Sequence, residues 1–175
     1  MVTTAITEEE TTEESTGSIM TTQRYRTVFL VLAVALCTIA CNRRTVYSHY
    51  EHTPISGWEK NDTLHFSISP LEEPGTYHEE IGLRIDNSYP FMGLSLVVEE
   101  TIFPLGYTTR HVVNCNLIDK NGTIKGNGVS YFQYNFPVND LQLNKGDSLH
   151  ICVMHNMKRE IMPGIADIGI SLTRK

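Results

Sequence analysis

The chain has 175 residues and a formal net charge of −6 at pH 7. Residues 42–175 hold 15 acidic and 12 basic side chains, and the basic residues form no cluster that would attract nucleic acid. Length and charge therefore argue against a nucleic-acid-binding protein, and they leave one domain long enough to bury a core.

The N-terminal part carries a short apolar run, Val28–Ala40, which follows Arg24 and Arg26 and ends just before Cys41. As a helix, these 13 residues would reach about 20 Å, short of the ~30 Å hydrocarbon core of a bilayer. Positive charge, a short apolar run and a small residue at the cut are typical of a secretory signal. We therefore predict a cleaved signal helix rather than a membrane-spanning anchor.

The tetrapeptide ending at Cys41 resembles a lipobox, in which the cysteine becomes the first mature residue and carries lipid on its thiol. Cys37 is the competing site, but Leu36 before it is too large for the small residue that the peptidase prefers. Residues 1–19 are acidic and polar, whereas a signal begins with positive charge. We predict that 1–19 are a mis-called or disordered extension and that the signal covers 20–40.

Lipidation of Cys41 would anchor the chain to a membrane, and several acyl chains on one cysteine give stable attachment. Asn42, Arg43 and Arg44 follow this cysteine, without the acidic residues that surface-exported lipoproteins tend to carry there. We expect a protein of the outer membrane that faces the periplasm.

The mature part alternates apolar and polar residues with a period of two, as half-buried strands do. The clearest runs are Leu64–Ile68, Ile81–Ile85, Phe132–Phe136, Leu149–Val153 and Ile168–Leu172, with further strands expected at about 45–50, 94–102 and 108–118. Turn residues separate the runs, and Asn121-Gly122 predicts a type I′ turn with positive φ at both positions.

About eight strands with one apolar face each would leave that face wet in a single open sheet. We predict an all-β fold, a two-sheet antiparallel β-sandwich that is either jelly-roll-like or immunoglobulin-like. Residues 41–62 would be the lipidated N-terminus and a tether with a possible first strand, and 63–175 would form the sandwich.

Strand parity separates the two cysteines of the mature domain. Cys115 shares a face with Val113 and Leu117 and is expected to point inward, whereas Cys152 lies opposite Leu149 and is expected to point outward. Because a disulfide needs the two Cβ atoms within about 4.5 Å, we do not expect a bridge.

The sequence shows no residue pattern typical of a metal site or a catalytic site. The close histidine pairs are His49/His52 and His150/His155, whose spacings of three and five place the partners on opposite strand faces. We therefore predict scattered surface histidines and no metal or cofactor. No nucleophile elbow or phosphate loop is present, so no catalytic residue is assigned.

Two pairs of adjacent carboxylates, Glu79-Glu80 and Glu99-Glu100, are the remaining catalytic candidates. Glycosidase carboxylates face each other across a cleft, whereas neighbours on one strand point to opposite faces. We interpret all four as solvated strand residues.

Two aromatic residues in turn regions are candidate contact residues. Trp58, the only tryptophan, either stacks on a sugar or a partner or plugs one end of the sandwich, and we favour the plug. Phe91 either contributes to a contact patch or caps the core. Thr63 and Ser148 lie in Asp-Thr-Leu and Asp-Ser-Leu triplets, which resemble bacterial acceptors for O-glycans.

Several motifs in a fixed order resemble the gliding-motility-associated lipoprotein H family of Bacteroides-type bacteria. They are Val46-Tyr47, Tyr50-Glu51-His52, Gly57–Thr63, Tyr77, Glu80–Arg84, Tyr89-Pro90-Phe91, Met157–Glu160 and Pro163–Ile170. The resemblance implies a non-enzymatic envelope lipoprotein that supports gliding and the secretion apparatus linked to it, with an envelope protein as partner. It offers no active-site residues, and Cys41 alone carries over as a functional position. The alternative is a glycan-binding module tethered at the outer membrane.

Overall fold

The computed structural model describes residues 44–175, so the expected extension, the signal segment, Cys37 and Cys41 lie outside the described residues. The described residues contain no helical segment of the length and hydropathy that a membrane span requires. The strands are β1 (Thr45–His52), β2 (Trp58–Glu59), β3 (Leu64–Ile68), β4 (Gly75–Asp86), β5 (Gly93–Phe103), β6 (Tyr107–Asn116), β7 (Asn127–Gly128), β8 (Tyr131–Leu143), β9 (Ser148–His155), β10 (Ile161–Met162) and β11 (Ile165–Arg174).

The long strands form two antiparallel sheets, which confirms the predicted sandwich. The first sheet has the order β1-β11-β4-β8-β7 and the second has the order β3-β9-β5-β6, while β2 and β10 pair separately. The eight strands longer than two residues can be numbered 1 to 8 in chain order. In that numbering the strand order is 1-8-3-6 in the first sheet and 2-7-4-5 in the second. This is the jelly-roll order, so the jelly-roll alternative is the correct one.

The core lies between the two sheets, where the apolar face of each alternating run points inward. Ile81 and Leu83 of β4 are fully buried, as are Ile151 and Val153 of β9. The strands at both sheet centres are buried on alternate positions, as the period-two pattern predicts.

The sandwich begins earlier than the sequence indicated. β1 pairs with β11 along its length, from Thr45 to His52, and the Trp58 side chain is fully buried in the core. The expected boundary at residue 63 is therefore too late, because Thr45 onward belongs to the domain rather than to a tether.

The segments that connect the strands lie at two opposite ends of the sandwich, which we call the near end and the far end. The near end is where Arg44 enters, and segments 69–74, 104–106 and 144–147 connect strands there. The far end holds the segments 53–63, 87–92, 117–130 and 156–164. Thr45 pairs with Thr173 and Phe103 pairs with Ser148 at the near end, which fixes this assignment in both sheets.

The turn at Asn121-Gly122 forms, but not as type I′. Gly122 has a φ of +81°, whereas no non-glycine residue among those described has a positive φ. The carboxylate of Asp119 accepts hydrogen bonds from the backbone N–H groups of Asn121 and Thr123, both at 2.8 Å. These bonds lower the pKa of Asp119 and stabilise the turn without a left-handed Asn121.

Candidate functional site

Trp58 lies inside the domain, where it cannot contact a sugar or a partner. Its side chain has no exposed area, its indole N–H donates to the carbonyl of Asp62 at 3.0 Å, and its ring packs edge-on against His155. The alternative in which Trp58 stacks on a sugar or a partner is wrong, because burial leaves neither face of its ring exposed. The favoured interpretation, that Trp58 fills the core near the far end, is consistent with these contacts.

The other expected site residues lie at the surface or close to it. Phe91 is half-buried in the far-end segment 87–92, where it packs edge-on against Tyr89. Thr63 and Ser148 are half-buried beside the starts of β3 and β9, one at each end of the sandwich. Their use as glycan acceptors stays a prediction.

The two cysteines have the parity that the sequence predicted. Cys115 is buried in the core and Cys152 lies on the outer face of the second sheet, and both are free thiols. Burial raises the pKa of the Cys115 thiol to about 12.

The histidines are not all scattered. His65 and His150 lie beside Cys152 with their rings parallel, 5.4 Å apart between centroids. The Cys152 sulfur is 3.3 Å from Nδ1 of His65 and 3.9 Å from Nδ1 of His150. The prediction of isolated surface histidines is therefore wrong for these two, because β3 and β9 are neighbours and bring distant residues together.

The adjacent carboxylates divide as strand parity requires, but the interpretation of all four as solvated is wrong. Glu80 and Glu99 are half-exposed, whereas Glu79 and Glu100 are fully buried between the sheets. The two buried carboxyl groups face each other from β4 and β5. The sandwich interior thus contains a pair of acids.

The buried pair differs in its surroundings. No donor among the described residues reaches either carboxyl oxygen of Glu79 in good geometry. Burial is the largest cause, and the neighbouring carboxyl of Glu100 the next, of a rise in the pKa of Glu79 to about 10. The contact between Glu79 and Glu100 does not meet the geometry of a hydrogen bond. We therefore attribute the raised pKa of Glu79 chiefly to burial. Glu79 is therefore a neutral acid at pH 7.

Glu100 is connected to the surface by polar side chains. Its carboxylate accepts hydrogen bonds from the Asn139 amide at 3.1 Å and from the Thr109 hydroxyl at 3.2 Å. Nε2 of the half-exposed His111 lies 3.8 Å from Glu100 and 3.0 Å from the same amide. These contacts connect the buried Glu100 carboxyl to the half-exposed His111, while Glu100 itself has no exposed surface.

Residues of the family-like motifs converge on the outer face of the first sheet. The Tyr50 ring lies across Gly82 and Gly169, where a Cβ at Gly169 would come within 2.6 Å of it. The Arg84 guanidinium stacks 4.1 Å above this ring and lies 3.6 Å from Asp167. Motifs that are far apart in the sequence therefore form one half-exposed cluster, which secures the edge strand β1.

A polar groove lies where the edges of the two sheets approach each other near the far end. Its volume is about 560 Å³. The lining is rich in amides and includes two parallel aromatic rings, Tyr134 and Phe136, with centroids 6.0 Å apart. The lining residues are Asn116, Lys125, Asn127, Gln133, Tyr134, Asn135 and Phe136. Amides beside a half-buried ring suit hydroxyl-rich ligands.

One signal for the thiol and histidine cluster was present in the sequence. His150 and Cys152 are two residues apart in an alternating strand, so they share a face. The signal lies in a histidine and a cysteine, not in a pair of histidines. His65 carries no such signal, because its position depends on the pairing of β3 with β9.

Comparison with known proteins finds a matching family model and a curated relative. A family described as GldH lipoprotein matches residues 45–172, which is nearly the whole described domain. The chain is 27% identical over 154 residues to a protein named gliding motility lipoprotein GldH from Flavobacterium johnsoniae. That match covers 83% of this chain and 95% of the relative.

Solved structures that resemble part of the chain have lower sequence identities than the curated relative. One is a family GH115 4-O-methyl-alpha-glucuronidase, at 12% identity and a TM-score of 0.42, covering 78% of this chain and 18% of that one. Another is a cellulose-specific carbohydrate-binding module, at 11% identity and a TM-score of 0.41, covering 71% of each chain.

Proposed function

The chain belongs to the GldH lipoprotein family, and we propose that it is held at the outer membrane by lipid on Cys41 and supports a gliding- or secretion-linked envelope complex through protein contacts. In this proposal the domain faces the periplasm and catalyses no reaction. Residues 1–19 are not part of the mature protein, and 20–40 are its signal. The observation that carries the proposal is the family match together with the lipobox-like segment before Cys41.

A short connection would hold the near end close to the membrane. Only four residue steps separate Cys41 from Thr45, which is at most about 14 Å of extended chain. The hairpin between β5 and β6 lies at this end and exposes Phe103, Leu105 and Tyr107. Aromatic and apolar side chains favour the interface of a bilayer, so this hairpin suits a position beside the lipid.

The far end would then point away from the membrane, where a partner can reach it. Most of the remaining large exposed apolar side chains lie at or beside this end: Ile55, Met92, Ile124, Val129, Tyr131 and Ile161. Exposed apolar residues concentrated in one region favour a protein-binding surface. We assign the partner contact to the far end.

A photo-crosslinking residue in place of Met92 should capture an envelope protein in living cells. The matched control replaces Val112, which is similarly exposed (55% against 61%) but lies on the outer face of β6. Immunoblots should show an adduct of one defined mass from position 92 and none from position 112. Equal adducts from both positions, or none from position 92 in gliding or secreting cells, would contradict the assignment.

The polar groove supports glycan binding as a second candidate function. Asn135 is exposed in its lining, so Asn135→Ala should abolish oligosaccharide binding without unfolding the domain. A glycan array probed with the purified protein and with this variant provides the measurement, and Asn114→Ala, an exposed amide outside the groove, is the control. Absence of any glycan signal from the unmodified protein would end this candidate.

A further inference from the structure

Three metal-ligating side chains from two neighbouring strands meet on the outer face of the second sheet. His150 and Cys152 lie two residues apart on β9, so both point to the same face. His65 on β3 pairs directly with Cys152 across the ladder. Neither the family match nor the partner contact accounts for this group, which lies on a face of the sandwich rather than at the far end.

The spacing of the three ligand atoms fits a tetrahedral zinc ion. With Zn–S and Zn–N bonds of about 2.3 and 2.05 Å, tetrahedral angles place sulfur and nitrogen about 3.5 Å apart. The observed distances from the Cys152 sulfur to the two Nδ1 atoms are 3.3 and 3.9 Å, on either side of that value. All three ligand atoms lie within 4.8 Å of one another.

A fourth ligand is available beside the cluster. Glu99 on β5 pairs directly with Cys152 and is half-exposed, and its carboxylate lies 3.5 Å from Arg110. His65 is exposed and the other two side chains are half-exposed, so a cation and a water molecule can reach the group.

We propose that His65, His150 and Cys152 bind a divalent zinc ion, with water or the Glu99 carboxylate in the fourth position. Zinc prefers imidazole and thiolate ligands, whereas harder cations such as Mg²⁺ prefer oxygen ligands. The site is open to solvent on one side, because only three protein ligands converge, and it joins the edge strand β3 to β9.

Cobalt substitution tests the site directly. The mature lipidated protein, purified from membranes in detergent and treated with chelator and reductant, should bind one equivalent of Co²⁺. Its spectrum should show a thiolate-to-cobalt charge-transfer band together with the visible bands of tetrahedral cobalt. Adding Zn²⁺ should displace the Co²⁺ and remove all of these bands. Cys152→Ser should abolish the charge-transfer band. His65→Ala, which removes a direct ligand, should weaken Co²⁺ binding by at least the roughly 10- to 100-fold that follows loss of a hydrogen-bond partner of a metal ligand.

The control is His49→Ala, which removes an exposed histidine of β1 and should leave the spectrum and the affinity unchanged. Circular dichroism checks that every variant is folded, as expected for substitutions outside the core. The proposal is overturned if Co²⁺ gives no thiolate band, if the band persists in Cys152→Ser, or if His49→Ala weakens binding as much as His65→Ala does.

Discussion

Replacing Glu79 by glutamine should stabilise the domain at neutral and alkaline pH and flatten the dependence of its unfolding free energy on pH. The Glu79 side chain is fully buried, and burial raises its pKa from 4.5 to about 10. Glutamine has nearly the same shape as the protonated acid, and its amide can donate to Glu100. The substitution therefore keeps the packing and removes only the ionisable group.

The sign follows from proton uptake on folding. Between pH 4.5 and about pH 10 the unfolded chain carries an ionised Glu79, whereas the folded chain carries a protonated one. The contribution of Glu79 to stability is thus fully present below pH 4.5 and is lost as the pH rises toward 10, by at most about 1.4 kcal/mol per pH unit. Urea unfolding between about pH 5 and about pH 9 measures this slope.

Glu80→Gln is the matched control, because this neighbouring carboxylate is half-exposed and lies 3.8 Å from His78. It should change the slope little. The interpretation fails if Glu79→Gln unfolds at lower urea concentration than the unmodified protein at about pH 9, or if both substitutions flatten the profile equally.

Cys41→Ser should remove both fatty acid and outer-membrane location from the protein. The lipid is proposed to attach to the thiol of Cys41, and a serine offers no such group. Cells grown with a labelled fatty acid should incorporate the label into the unmodified protein and not into the variant. Membrane fractionation should find the variant missing from the outer membrane.

Cys37→Ser serves as the control, since it removes the competing thiol four residues earlier. This variant should be labelled and located as the unmodified protein is. Loss of label from Cys37→Ser with label retained in Cys41→Ser would move the anchor to the earlier cysteine.

Alternation along single strands was enough to predict the sandwich. Runs such as Ile81–Ile85 and Ile168–Leu172 carry one apolar residue at every second position, and burial of that face requires a second sheet. A strand at about 45–50 is expected from the sequence, but as part of a tether rather than as part of the sandwich. Its place in the sheet depends on pairing with β11, more than a hundred residues away.

The candidate sites were harder to predict because each depends on which strands become neighbours. The alternation assigned opposite faces to Glu79 and Glu80, but nothing local shows that Glu79 meets Glu100 inside. A buried carboxyl also departs from the rule that strand acids are solvated. His65 likewise reaches Cys152 only through the register of β3 against β9.

The two ends of the sandwich connect the fold with the proposed role. Jelly-roll connections place Arg44 at one end and the long segments 87–92 and 117–130 at the other. A lipid on Cys41 would therefore present the far end, with Met92 exposed, to a partner. This arrangement depends on Cys41 being the first residue of the mature chain.

Mass analysis of the N-terminal peptide of the protein purified from its own membrane tests that claim most directly. We predict a peptide that begins at Cys41 and carries acyl chains on this residue. A peptide that begins before Cys41, or an unmodified Cys41 inside a longer chain, would contradict the lipid anchor and the orientation derived from it.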